Sequence, residues 1–182
     1  MKLKTFFALV VSVSLFMVSC NKNGGDDPQP TTLSDYTVMV YGCAGGNLDD
    51  VLDTRIEEAI EAKVSNVPMT WLVKYSKKNQ ANPNKAGLRR FVINENGVEN
   101  LEVKSISTPL YKPETLADFI KWSKERYPAK KYILLFWNHG GGWSPADDGP
   151  KQRGAIFDDN LNNMPMSLDE VAKGVALSGV KL

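Results

Sequence analysis

The amino-acid sequence predicts an α/β fold with a mostly parallel sheet flanked by helices. Strand-like and helix-like patterns alternate from residue 34 onwards, and such alternation is typical of parallel sheets that are covered by helices on both faces. The uninterrupted apolar and aromatic run 132–137 predicts a central strand that is buried on both faces. Because such sheets bind ligands at the carboxyl ends of their strands, the residues that follow this run are the first candidates for a functional site.

The composition is that of an ordinary globular protein. Of 182 residues, 42% are hydrophobic and 24% are charged, which suits one domain with a buried core. The 22 basic and 21 acidic residues leave a net charge of +1. Since nothing in this balance would attract a polyanion, no nucleic acid partner is expected.

The N-terminal segment is predicted to lie outside the fold. Residues 1–19 join a basic start to an apolar run of 13 residues, 6–18, which is too short to span a bilayer and is typical of an export signal. The small and β-branched residues before Cys20 are similar to a bacterial lipoprotein signal, in which the cysteine carries the lipid; an ordinary signal peptide is the alternative. Residues 20–33 are polar and predict a flexible linker.

A lipid on Cys20 would determine where the protein resides. It predicts a membrane anchor in the cell envelope, in the outer membrane or on the cell surface of a Gram-negative bacterium.

The domain, residues 34–182, is predicted to open with a strand, a small-residue turn and a helix. The β-branched and aromatic run 36–41 predicts the strand. Asn47 is expected to cap the helix, because its short polar side chain can accept from a helix N–H. The apolar residues that follow recur at steps of three and four, which predicts an amphipathic helix. Its expected inner face comprises Leu48, Val51, Leu52, Ile56, Ala59, Ile60 and Val64.

The middle of the domain is predicted to form three strands. Residues 69–75 are the second strand of the fold. Residues 88–94 and 98–103 predict a β-hairpin, because Asn96-Gly97 between them supplies the positive φ that such turns need.

Two further helices and two short strand-like pieces complete the pattern. Pro113 suits the first turn of a helix that runs to about residue 126, with Leu116, Phe119 and Ile120 on its inner face. Residues 167–170 form a capping box that opens a helix to about residue 176. The short apolar pieces are 155–157 and 180–182, and the second is expected to begin another strand.

The central run ends in Asn138, His139 and three glycines. His139 is the one histidine of the sequence, and a titratable ring at the carboxyl end of a buried strand is where an α/β enzyme would place a catalytic group. The glycines would let a substrate approach the backbone and leave N–H groups to face a developing oxyanion. A histidine without a catalytic role, beside a glycine loop that is only a turn, is the alternative.

A calcium site is one interpretation of the acidic residues after the glycine loop. The acidic residues Asp147, Asp148, Asp158 and Asp159 follow the glycine loop, and calcium prefers several carboxylates on a flexible loop. The spacing of a calcium-binding loop is missing, so a solvated loop is favoured and no cofactor is firmly implied.

Three other features have two interpretations each. The turn 42–46 lacks the glycine spacing of a nucleotide-binding loop. Cys43 within it is either a nucleophile or a buried structural cysteine, and the second interpretation is favoured because nothing nearby in sequence would lower the pKa of its thiol. Lys151 and Arg153 lie in a polar loop that serves either solubility or cleavage by a protease with a basic preference.

Several segments together resemble the clostripain-like cysteine peptidases. Residues 36–49 are similar to the opening of that family's domain, and residues 133–143 are similar to its histidine motif, which is the most specific of the matches. Residues 154–158 and 166–170 fit the segments that follow. The resemblance implies a caspase-like α/β fold and a His–Cys dyad that cleaves after Arg or Lys.

The resemblance also implies a role for particular residues. His139 corresponds to the dyad histidine, and the backbone N–H of Gly140 would help to form the oxyanion hole. Lys151 or Arg153 would lie where members of the family cut themselves into light and heavy chains. The expected partner is a protein or peptide substrate with Arg or Lys before the scissile bond.

The sequence departs from the family in one respect. The family's nucleophilic cysteine follows the strand after the histidine motif, whereas no cysteine follows His139 here. We therefore expect the N-terminal portion of a peptidase domain, with its sheet incomplete at the C-terminus and no activity by itself. A fragment, a truncated gene product and a decayed copy would each give this sequence.

Two other functions stay open at this point. One is a non-catalytic surface lipoprotein that binds a peptide or glycan. The other is a metal-dependent hydrolase that uses His139 with Asp147, Asp148 or Asp158, although a single histidine counts against it.

Overall fold

The computed structural model describes residues 33–45, 47–62, 65–76, 87–141 and 154–180. Several predicted features lie outside these ranges: the signal peptide, nearly all of the linker, Cys20, Asp147, Asp148, Lys151 and Arg153. Within the ranges, no helix is both long and apolar enough to cross a membrane.

The order of strands and helices agrees with the pattern in the sequence, apart from a short strand over residues 164–166 that was not predicted. The described elements are β1 (Ser34–Cys43), α1 (Asp49–Ala62), β2 (Met69–Lys74), β3 (Leu88–Asn94), β4 (Gly97–Lys104), α2 (Pro113–Arg126), β5 (Ala129–Trp137), β6 (Ile156–Asp158), β7 (Met164–Met166) and α3 (Leu168–Leu177). The strand expected over 180–182 is not tested, because only Val180 is described there, and Val180 itself lies outside any strand.

Five strands form the main sheet in the order β4-β3-β2-β1-β5. β1 pairs in parallel with β2 on one side and with β5 on the other. The hairpin of β3 and β4 joins the free side of β2 through antiparallel pairing. The predicted α/β fold is therefore confirmed, and the carboxyl ends of β1 and β5 lie side by side.

Local signals in the sequence account for the ends of several elements. Gly97 has a φ of +106° in the hairpin turn, a conformation that glycine adopts without strain. Pro113 begins α2, where its missing N–H costs no hydrogen bond. Ser167 and Glu170 form the predicted capping box at the start of α3, each side chain bonding the other's backbone N–H.

Helices cover both faces of the sheet, and a hydrophobic core lies under each. On one face α1 contributes Leu52, and the buried sheet residues packed with it are Val40, Trp71, Val73, Phe91 and Ile93. On the other face α2 contributes Leu116, Phe119 and Ile120, and the buried sheet residues there are Met39, Tyr41, Leu72 and Leu88. Val51 of α1 was expected to face inward but is exposed.

The prediction that β5 is central and buried on both faces is wrong for the described sheet. β5 lies at its edge and pairs with β1. Its residues alternate: Leu134 and Phe136 pack on the core beneath α2, whereas Ile133 and Leu135 are 42% and 47% exposed. The physical reason is that α1 packs over β1, β2 and β3, so within the described ranges its face of β5 is left uncovered.

Candidate functional site

The candidate site is a cleft at the carboxyl ends of β1 and β5. Two loops meet there, one after each strand, and the segment that follows β6 closes the third side. The cleft has a volume of about 460 Å³. Its lining residues are Gly45, Asn47, Asn138, His139, Phe157, Asp159 and Asn163.

His139 lies in this cleft with an exposed imidazole, directly after β5. Its Nε2 is 3.0 Å from Nδ2 and 3.2 Å from Oδ1 of Asn47. The prediction that Asn47 caps α1 is therefore not what the structure shows. α1 begins at Asp49, and the Asn47 side chain reaches across to the histidine instead.

Asn138 joins three parts of the site, a role that sequence reasoning missed. Its Nδ2 donates to the carbonyl oxygen of Cys43 at 2.7 Å. Its Oδ1 accepts from the backbone N–H groups of Phe157 at 3.3 Å and Gly140 at 3.4 Å. A primary amide can donate and accept at once, so this one side chain ties the end of β1 to the glycine loop and to β6.

The glycine loop has a defined conformation as far as it is described. Gly140 has a φ of +66°, which favours glycine at this position. The next N–H, that of Gly141, donates to the carbonyl of Gly154 at 2.8 Å. Among the described residues, the N–H of Gly140 donates only to Oδ1 of Asn138, at 3.4 Å, near the outer limit for a hydrogen bond. Its use as an oxyanion donor stays a prediction.

Asp159 also faces the cleft. Its carboxylate lies against Gly45, where a Cβ atom would come within 1.7 Å of Oδ2, and Gly45 itself has a φ of +58°. Burial, and then the neighbouring charge of Asp158, raise the pKa of Asp159, while His139 acts in the opposite direction.

Asp158 points away from the cleft into the protein. Its carboxylate accepts from Nζ of Lys74 at 2.8 and 3.0 Å, and both side chains are fully buried. It also accepts from the N–H of Leu110 at 3.0 Å. Asp158 is thus not placed to bind a metal beside His139.

The described residues do not offer a calcium site. Among them, no three His, Cys, Asp or Glu side chains lie close enough together to hold a metal ion. Asp158 is neutralised by Lys74, and among the described residues that line the cleft Asp159 is the one carboxylate. The described part of the chain therefore does not fit this ion.

Cys43 lies next to the site but is closed off from it. Its side chain is buried at the end of β1. Burial, followed by the charge of Asp158, raises the pKa of the thiol to about 12. The interpretation of Cys43 as a structural residue is consistent with both observations.

We expect Cys43 to resist alkylation in the folded protein. A pKa raised from 9.0 to about 12 lowers the thiolate fraction at neutral pH by about 10³-fold, and the thiolate is the reactive form. Iodoacetamide labelling of a Cys20→Ser variant, read by mass spectrometry, should be slow at pH 7 and fast in denaturant. Rapid labelling without denaturant would show that the thiol is accessible and ionised, contrary to this prediction.

Comparison with known proteins agrees with the geometry. Residues 40–181 match the family model described as the clostripain family, Peptidase_C11. Clostripain from Hathewaya histolytica is 30% identical over 141 residues, which cover 68% of this chain and 27% of clostripain. The chain therefore spans about a quarter of the length of that relative.

Solved structures show the same fold. A secreted C11 cysteine protease from Bacteroides thetaiotaomicron, called iotapain, superposes with a TM-score of 0.58 at 15% identity, covering 83% of this chain and 44% of that one. A secreted C11 cysteine protease from the same organism, in complex with an irreversible peptide inhibitor, gives a TM-score of 0.55 at 16% identity, with 79% and 39% covered. The fold is that of the C11 proteases, and by the family match this chain belongs to the clostripain family of cysteine peptidases.

Proposed function

We propose that this chain is the histidine-bearing part of a cysteine endopeptidase that cleaves after Arg or Lys. The observation that carries the proposal is the place of His139. It lies exposed in an open cleft at the carboxyl ends of two parallel strands, within a chain of the clostripain family.

The chemistry needs three groups around one peptide carbonyl. His139 would take the proton of a thiol and later return it to the leaving amine. The N–H of Gly140 would stabilise the oxyanion that forms on the carbonyl oxygen. The third group is the thiolate itself, which attacks the carbonyl carbon.

The thiolate would come from polypeptide outside the 182 residues. Cys20 and Cys43 are the two cysteines of the sequence, and both precede His139. Cys20 is the proposed lipid attachment site, and the buried thiol of Cys43 is closed off from the cleft. The 182-residue chain by itself should therefore be inactive.

Three further proposals accompany the peptidase activity. Cleavage after Lys151 or Arg153 would separate a light chain from a heavy chain, because both residues follow the glycine loop and precede β6. The substrate would be a protein or peptide with Arg or Lys before the scissile bond. A lipid on Cys20 would hold the enzyme in the cell envelope, tethered through the polar linker.

The test begins with the coding region beyond codon 182. We expect it to encode a cysteine-bearing continuation, and the longer product should hydrolyse peptidyl-Arg and peptidyl-Lys amides but not peptidyl-Asp amides. His139→Ala should lower kcat/KM by about 10²- to 10⁴-fold, the usual contribution of a general base. Lys121→Gln, an exposed change on α2, should leave kcat/KM unchanged.

Two results would contradict the proposal. Amide hydrolysis by the 182-residue chain that depends on His139 would show that no outside thiol is needed. A longer product that binds peptides without turnover would favour the non-catalytic binding protein instead.

A further inference from the structure

We propose that Asn47 is a positioning residue for His139. Its side-chain oxygen accepts from the N–H at Nε2, so that Nδ1 is the ring nitrogen that exchanges a proton with the thiol. The inference deepens the proposed function and rests on it for the identity of the thiol. The contact between the two side chains is independent of that function.

The contact with Asn47 uses the Nε2 side of the imidazole ring. Both polar atoms of the Asn47 amide lie within hydrogen-bond distance of Nε2, at 3.0 and 3.2 Å. In the described part of the chain, the hydrogen bonds of the His139 side chain all use Nε2. Nδ1 is thus the nitrogen left for a reacting group.

Two arrangements of the amide are compatible with these distances. If Nδ2 donates to Nε2, the ring proton of the neutral imidazole must sit on Nδ1, which then cannot accept a proton from a thiol. If Oδ1 accepts from Nε2–H, Nδ1 carries the lone pair. A general base needs that lone pair on the side facing the nucleophile, so the proposed chemistry selects the second arrangement.

Asn47 is held firmly enough to act in this way. Its backbone N–H donates to the carbonyl of Gly45 at 2.8 Å, and the N–H of Leu48 donates to Ala44 at 3.1 Å. Beyond the turn, the buried carboxylate of Asp49 accepts from the N–H of Ser76. The turn that carries Asn47 is therefore fixed to the body of the domain on both sides.

Asn47 lies just outside the N-cap position of α1. The helix begins at Asp49, and the carbonyl of Leu48 accepts from the N–H of Leu52, so Leu48 occupies the N-cap position and Asn47 precedes it. The Asn47 side chain reaches His139, 92 positions away in sequence. The contact is therefore a long-range one that the local geometry of the helix end does not dictate.

The experiment is a measurement of the His139 tautomer. Because the sequence contains one histidine, ¹⁵N-histidine labelling of the full 182-residue chain gives a single imidazole spectrum without assignment. At a pH where the ring is neutral, we expect Nε2 to carry the proton and Nδ1 to resonate as an unprotonated nitrogen. Asn47→Ala should reduce the ratio of Nε2–H to Nδ1–H tautomers by about 2- to 10-fold, the effect of losing one hydrogen bond.

Asn47→Asp is the matched variant. A carboxylate accepts hydrogen bonds but cannot donate them, so this change should keep or increase the population with the proton on Nε2. Lys121→Gln should leave the tautomer ratio at its parent value. Far-UV circular dichroism shows whether each variant is folded. If Asn47→Ala does not fold, Asn47→Asp still tests the proposal.

The proposal is overturned if the parent protein carries its ring proton mainly on Nδ1. It is equally overturned if a folded Asn47→Ala variant keeps the parent tautomer ratio, or if Asn47→Asp moves the proton to Nδ1. None of these measurements uses catalysis. The tautomer ratio tests the contact between Asn47 and His139, whereas amide hydrolysis tests the peptidase proposal, so the failure of one can be told from the failure of the other.

Discussion

Lys74→Met is expected to destabilise the domain by about 3 to 5 kcal/mol, the usual cost of breaking a fully buried ion pair. Lys74 is the last residue of β2, and its ammonium is enclosed by the Asp158 carboxylate and the carbonyl of Thr108 at 2.8 Å. Methionine has a similar volume but no charge. It would leave the Asp158 carboxylate buried without its counter-ion, with the N–H of Leu110 still donating to it.

Two further variants measure how strongly the buried charges of Lys74 and Asp158 depend on each other. Asp158→Asn should cost a similar amount, because it leaves a buried ammonium without its counter-ion. The double variant should lose less free energy of unfolding than the two single variants together, since neither partner is then left as a lone buried charge. Chemical denaturation of the four proteins, followed by tryptophan fluorescence, measures this coupling.

An exposed ion pair supplies the control. Lys130 and Asp35 join β5 to β1 with an N–O distance of 2.6 Å, but their side chains are 62% and 70% exposed. Lys130→Met should change the unfolding midpoint little, because water solvates both charges already. If Lys74→Met were as mild as Lys130→Met, or if the losses from Lys74→Met and Asp158→Asn simply added, the buried pair would not have the role assigned here.

The buried pair also matters for the site. Asp158 ends β6, and the next residue, Asp159, lies in the cleft beside Gly45. The lysine therefore fixes the position of the chain segment that brings Asp159 and Phe157 to His139. A loss of this pair should loosen the cleft as well as the core.

Sequence patterns predicted those parts of the fold that depend on neighbouring residues. The hairpin turn at Gly97, the start of α2 at Pro113 and the capping box at Ser167 all follow from interactions within four residues. Each of these signals reports a backbone geometry or a hydrogen bond that the segment can form by itself.

The parts that depend on distant partners were not predictable in this way. Lys74 and Asp158 are 84 positions apart, and nothing local to either distinguishes a buried pair from two solvated charges. The apolar run of β5 indicated a strand, but the pattern does not encode which strands pair with it or what covers its faces. Asn47 was interpreted as a helix cap because a cap is a local interaction that sequence can indicate. Its actual partner, His139, is distant in sequence and could not be found in this way.

Asn138→Ala is expected to cost about 2 to 3 kcal/mol and to open the candidate site. The substitution removes the partner of three backbone groups at once: the Cys43 carbonyl and the N–H groups of Gly140 and Phe157. An unsatisfied buried polar group costs about 1 to 3 kcal/mol, and water can reach some of these groups, so the sum falls below three full penalties. Denaturation measures the stability, and amide hydrogen exchange at Gly140 and Phe157 measures the opening.

Asn138→Asp removes the hydrogen-bond donor of this side chain and keeps its acceptor. The carboxylate can still accept from the N–H groups of Gly140 and Phe157, but it cannot donate to the Cys43 carbonyl and would place a negative charge against that oxygen. We therefore expect amide protection at Gly140 and Phe157 to persist in this variant, while the contact with β1 is lost. If Asn138→Ala changed neither stability nor exchange, Asn138 would not hold the loop that carries His139. The conformation of Gly140 and the hydrogen bond from Gly141 to Gly154 would then be sufficient to hold it.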